Sequence, residues 1–177
     1  MTDPSELDVD VPDEAGDRPK GPVTLLGKLP IRELSQRLVE QARREILIFS
    51  GDLDPDYYDQ APFVEALRRL CLGAPPQCVR VLLGDPRAVA LRGHRLIGLA
   101  RQLTSRIAVR HLAEDFKDRL DAFLIADGQG YCVRRLADTA EAVADLNGPR
   151  QGRLLRAEFE QMWERSDVDG ELRRLFL

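Results

Sequence analysis

From Leu29 onward the apolar residues switch repeatedly between a helical spacing and short unbroken runs, and this alternation limits the fold more than any other feature of the sequence. Ile31, Leu34, Leu38 and Ala42 fall three or four apart and make one helix face, followed at once by the strand run of residues 46–49. Residues 62–72 repeat the helical spacing on Phe63, Ala66, Leu67 and Leu70, and residues 78–83 form the next apolar run. A third helix carries Leu96, Leu99, Ala100 and Leu103, with Asp85-Pro86 as its start, and leads into a strand at 107–110. Residues 120–126 and 131–135 flank Asp127-Gly128-Gln129-Gly130 and predict a hairpin, because glycines surround a short loop. A last helix over about 150–166 presents Leu155, Phe159, Met162 and Trp163 together. Strands separated by helices of ten or more residues predict an α/β fold. Its sheet should be mixed but mostly parallel, covered by helices on both faces, with an antiparallel ribbon added late.

Residues 1–22 are of a different kind. They hold seven acids (Asp3, Glu6, Asp8, Asp10, Asp13, Glu14 and Asp17) against Arg18 and Lys20, with four prolines among them. So little apolar surface does not offset the entropy of ordering a chain, which predicts a disordered acidic tail followed by one α/β domain over 23–177. Removing the tail's charge of −5 from the chain's −4 leaves the domain at +1, so electrostatics alone nominates no nucleic acid. No apolar run reaches the length of a membrane helix and the N-terminus has no secretory pattern, so the expectation is a cytoplasmic protein without membrane insertion. Cys71, Cys78 and Cys132 each lie in an apolar run, as small buried hydrophobes rather than as a disulfide or a zinc site.

Ligands of open α/β sheets sit at the carboxyl ends of the strands, which directs attention to the loops after residues 50, 84 and 110 and to the hairpin. The first loop, 51–59, holds Asp52, Asp54, Asp56 and Asp59. A calcium loop is excluded because Tyr57 stands at the glycine position and Phe63 at the bidentate glutamate position, so the loop reads as solvated and turn-forming. His94 lies between Arg92 and Arg95, opposite its helix's apolar stripe, and reads as a surface residue; the three together can touch a phosphate. His111 ends a strand near Asp115, Lys117 and Asp118, but no Ser or Cys beside it reads as a nucleophile. Asp52, Asp54 and His111 are therefore an alternative catalytic set, and Arg92, His94, Arg95, Arg134 and Arg135 a candidate phosphate-binding set. No metal site and no cofactor is predicted.

The order of elements from about 42 to 166 resembles one unit of the phospholipase D superfamily. The strand after Ala42-Arg43-Arg44-Glu45, the helix and strand over 63–83, the strand at 107–110 and the closing Phe159-Glu160-Gln161-Met162-Trp163-Glu164 carry that likeness. The resemblance implies a His-x-Lys-x4-Asp motif on a strand, supplied twice by two halves or two subunits. One histidine attacks phosphorus, its counterpart protonates the leaving group, and the lysines hold phosphate oxygens. Aligned on Asp127, the histidine position is Leu120 and the lysine position Ala122, on an apolar strand face shared with Leu124 and Ala126. Leucine cannot attack phosphorus, and alanine cannot neutralise an oxyanion. The expectation is thus a phospholipase D-like unit without catalysis, serving as an interaction or regulatory module whose partner is another protein or a second copy in a homodimer. The alternatives are a phosphodiesterase or phosphoryl-transfer enzyme with a displaced site, and nucleic-acid or nucleotide binding through arginines.

Overall fold

The computed structural model describes residues 21–177, so the acidic segment predicted to be a tail lies, for residues 1–20, outside the described residues. Seven strands form one sheet in the order β1-β7-β6-β5-β2-β3-β4. β2 (Ile46–Ser50), β3 (Val79–Leu83) and β4 (Ile107–His111) run parallel, as their intervening helices require. The hairpin of β5 (Ala122–Ala126) and β6 (Gly130–Arg134) joins β2 antiparallel, and β7 (Glu141–Asp145) and β1 (Val23–Leu26) extend it to the far edge. The sheet is mixed as expected, but parallel pairing is confined to β2, β3 and β4 and is the minority.

Helices cover both faces. On one lie α1 (Lys28–Gln41), the single-turn α2 (Pro55–Tyr58), α3 (Ala61–Gly73), α4 (Pro86–Arg92), α5 (Arg95–Gln102) and α7 (Gly170–Leu175). The other is covered by α6 (Pro149–Arg165), whose Leu155, Phe159, Met162 and Trp163 pack on Leu47, Phe49, Leu82, Phe123 and Ile125. Alternate residues of β2 and β5 therefore enter different cores, which is why these strands read as unbroken apolar runs. Arg80 anchors α6: it reaches both Glu160 oxygens at 2.9 and 2.6 Å, and its guanidinium lies 5.5 Å from the Phe159 and Trp163 ring centres.

Several boundaries differ from the expectation. The helix expected from Asp85 is two helices, broken at Gly93, whose φ of 70° lies in the left-handed region that favours glycine. β5 begins at Ala122, so Leu120 is outside the strand and 69% exposed rather than on its apolar face. The ladder with β6 stops at Ala122 opposite Arg134, and Arg119 and Asp121 pair immediately before it. α2, α7, β1 and β7 escaped the sequence pattern. Among the described residues, no helix is long and apolar enough to cross a membrane.

Candidate functional site at the carboxyl ends of the parallel strands

β2, β3 and β4 deliver Ser50, Leu83 and His111 to the same end of the sheet. The space between the first two loops is closed by the backbone. The N–H of Gly84 donates to Ser50 O at 3.1 Å and that of Asp85 to Gly51 O at 2.6 Å, while a Cβ on Gly84 would stand 3.0 Å from the Gly51 Cα. Asp85 spends its carboxylate on the N–H groups of Arg87 and Ala88, capping α4.

Loop 51–59 is not the solvated turn that its acids suggest. Leu53, Tyr57 and Tyr58 are buried, because Asp54 caps α2 and turns both tyrosines inward. Burial pushes the Tyr58 phenol up to about 12. The second Asp54 oxygen lies 3.3 Å from Nη1 of Arg134, which also donates to Ala137 O at 2.6 Å. The guanidinium sits 4.3 Å above the Tyr57 ring, and the residue is 3% exposed. Arg134 faces Ala122 across the hairpin, so a buried cation whose bonds are all internal stands beside the motif's lysine position. It is unavailable to the phosphate predicted for it.

Both histidines have structural partners. His94 is half-buried rather than on the surface, because α5 begins after it: its Nδ1 accepts the Leu96 N–H at 3.1 Å, leaving Nε2 to donate to Leu53 O at 3.0 Å. Burial lowers its pKa, with Asp59 opposing, which favours the neutral ring this arrangement requires. His111 meets Asp169 through Nδ1 and Gly84 O, at 3.2 Å, through Nε2. Its acidic partner is therefore not Asp115 or Asp118 but the residue capping α7, which also accepts the Leu172 N–H at 2.9 Å. Asp52, Asp54 and His111 do not converge as a catalytic set.

Arg92 and Arg95 close the same loop onto α4 and α5. Arg92 donates to Asp52 O at 2.6 Å, and Arg95 meets Asp59 through its backbone N–H at 2.8 Å and Nη1 at 2.9 Å. Arg135 is exposed beside an apolar groove of about 270 Å³ on β1, β6 and β7, apart from the other four predicted phosphate ligands, which are each bonded to loop 51–59. Among the described residues no cluster has the composition of a metal site. The three cysteines are free and buried, with Cys71 and Cys78 sulfurs 3.7 Å apart; burial pushes Cys71 up to about 12 and Cys132 to about 11, which withholds the thiolate.

Asp127, the motif residue present in the sequence, is a structural anchor. Its carboxylate accepts the backbone N–H groups of Arg43, Arg44 and Glu45 at 2.8, 2.8 and 2.9 Å. Asp127 and Gly128 both have positive φ, 54° and 64°, as a tight mirror-image hairpin turn demands. α6 starts against this turn: a Cβ on Gly152 would stand 2.6 Å from Gly128 O. Sequence reasoning missed the resulting arginine-rich end, where an open groove of about 350 Å³ is lined by Arg44, Glu45, Asp127 and Arg156, among others. The available signal was Arg43-Arg44 together with Arg150, Arg153 and Arg156 at three-residue intervals.

Comparison with known proteins agrees with this architecture. The profile of a family described as a domain of unknown function, DUF7931, matches residues 28–175. No curated protein matches. Among solved structures, Nuc from Salmonella typhimurium, a phospholipase D family member, is 17% identical with a TM-score of 0.55 over 82% of this chain and 97% of its own. NucT from Helicobacter pylori is 9% identical with a TM-score of 0.58 over 83% and 98%. TrmBL2, an archaeal chromatin protein with a novel mode of DNA binding, is 17% identical with a TM-score of 0.59 over 86% of this chain; the match spans 56% of TrmBL2's length. The chain has the phospholipase D-like fold that the sequence resemblance implied.

Proposed function

We propose that this chain, which belongs to the DUF7931 domain family, is a phospholipase D-like domain that performs no catalysis and acts as an interaction or regulatory module. One observation carries the reading: the strand end where the family's chemistry would stand offers exposed Leu120 and buried Ala122, and the adjacent cation, Arg134, is bonded inward. Neither side chain can attack phosphorus or neutralise an oxyanion. His111, Asp52 and Asp54 do not replace them, because each is engaged with a different partner.

The expected result is no turnover of bis-aryl phosphate, phosphatidylcholine or single-stranded DNA above a buffer blank, with or without magnesium. Removing an essential nucleophile costs several orders of magnitude in rate, and the phosphate-holding position is empty as well. Hydrolysis by the unmodified protein, abolished by a substitution that leaves it folded, overturns the proposal; loss in Asp52→Asn or Asp54→Asn would assign a carboxylate enzyme, and loss in His111→Ala a displaced histidine. Nucleic-acid binding through Arg92, Arg95, Arg134 and Arg135 gains support from the likeness to the archaeal DNA-binding protein, but Arg134 is buried and Arg92 and Arg95 hold loop 51–59.

The proposed partners include a second copy of the chain. On its face of the sheet α6 leaves Thr24, Leu26 and Leu136 exposed and Val133 and Val143 only partly buried, and two-fold association is the commonest oligomer geometry. Light scattering at ~100 μM, above the micromolar range of modest interfaces, is expected to give the dimer mass. The monomer mass there overturns self-association.

A further inference from the structure

The arginine-rich end lies at the pole opposite the strand ends just described, and its charge is unbalanced. Arg43 and Arg44 sit on the loop that Asp127 holds, while Arg150, Arg153 and Arg156 follow one another along the first turns of α6, which packs against the same hairpin turn. Glu45 is engaged with Arg156 and Arg80, and Asp127 with three backbone N–H groups. Among the described residues, no ion pair with N···O within 4 Å engages the guanidinium of Arg43, Arg44, Arg150 or Arg153, all of which are exposed residues. Nor does the first turn of α6 hold an acid, so arginines crowd the end of a helix where the backbone field already repels cations.

A complementary charge is attached to this end. β1 enters the sheet at Val23 opposite Ala144, so the chain before it emerges beside the segment from Asp145 to Gly148 that leads into α6. Gln41 at the end of α1 bonds Leu146 O there at 2.7 Å, which ties the loop bearing Arg43 and Arg44 to the same place. Residues 1–20 carry seven acids against two bases, a charge of −5. Asp17 is six residues before Val23, within ~22 Å of it even fully extended. We infer that residues 1–20 of the same chain are the occupant of the surface formed by Arg43, Arg44, Arg150, Arg153 and Arg156. Each exposed ion pair is weak, but the covalent connection holds the acids at high local concentration. The surface is thus a receptor for the chain's own acidic segment. This inference does not depend on the catalytic reading.

The test places a nitroxide on the full chain at Ser5→Cys; the native thiols are buried and resist labelling. In nitrogen-15 spectra at ~10 mM salt, where the screening length is ~30 Å, amide signals of residues 43–45, 127–129 and 150–156 should broaden selectively. At ~1 M salt, with a screening length of ~3 Å, the broadening should disappear. It should also be lost in the double variant Arg43→Glu and Arg153→Glu, with circular dichroism confirming that this variant is folded. Uniform broadening, broadening on another surface, insensitivity to salt or persistence in the charge-reversed variant overturns the inference. Equal broadening in an unlabelled nitrogen-15 chain mixed with the spin-labelled one would assign the contact to a second copy and overturn the same-chain assignment.

Discussion

Trp163→Ala is expected to lower the free energy of unfolding by ~3–5 kcal/mol, the usual cost of truncating a buried tryptophan. The indole is 6% exposed and stacks on Phe159 with ring centres 5.7 Å apart. Arg110 covers its other surroundings, 4.3 Å from the ring and donating to the Trp163 carbonyl at 2.7 Å, while Arg80 approaches from β3 at 5.5 Å. Truncation therefore removes apolar burial and leaves the guanidiniums of Arg80 and Arg110 over an empty volume in a close-packed core. A urea titration checks the value, through a lower midpoint at unchanged slope. A loss within ~0.5 kcal/mol, the range of ordinary surface substitutions, would remove Trp163 from the core.

Asp127→Ala should cost ~2–4 kcal/mol for a different reason. Hydrogen bonds to a charged acceptor contribute ~1.5–3 kcal/mol each, and this carboxylate accepts three, partly compensated by water because the Arg43 and Arg44 backbones are exposed. Alanine would also have to hold a φ of 54°, which aspartate and asparagine tolerate better. Asp127→Asn should accordingly lie between the two, keeping one acceptor and the backbone preference while losing the charge. Equal stability of the alanine variant and the native chain would contradict the anchoring role. The aspartate aligned with the family motif thus has a purpose independent of phosphoryl chemistry: it fixes the entry to β2.

The contrast between these residues indicates what was legible in the sequence. β2, β3 and α6 were readable because each is buried along a repeating face, and burial leaves its period in the sequence. β1 and β7 were not, since a four-residue edge strand that is half exposed and a strand of small residues bounded by acids leave no such period. The predominance of antiparallel pairing escaped because strand direction between β2 and β5 is set by contacts 74 or more residues apart, as Phe49 opposite Phe123 illustrates. Site residues were harder still. Arg134 looks like any surface arginine until Asp54, Tyr57 and Ala137 are brought around it, and the pairing of His111 with Asp169 spans 58 residues with no local signature.

The placement of β1 also constrains how the chain is made. Val23 pairs with Ala144, so once β1 is synthesised it must wait for more than a hundred further residues before its partner exists. Pairings of such long separation are slow to form, and a waiting strand presents unpaired N–H and C=O groups to other nascent chains. With only four residues, and with Gly21 and Gly27 at positive φ on either side, β1 makes a poor template during that interval and locks only when β7 arrives. A chain stalled before Glu141 would expose the far side of the hairpin, so completion of this sheet is a late event in biosynthesis rather than a property of its N-terminal half.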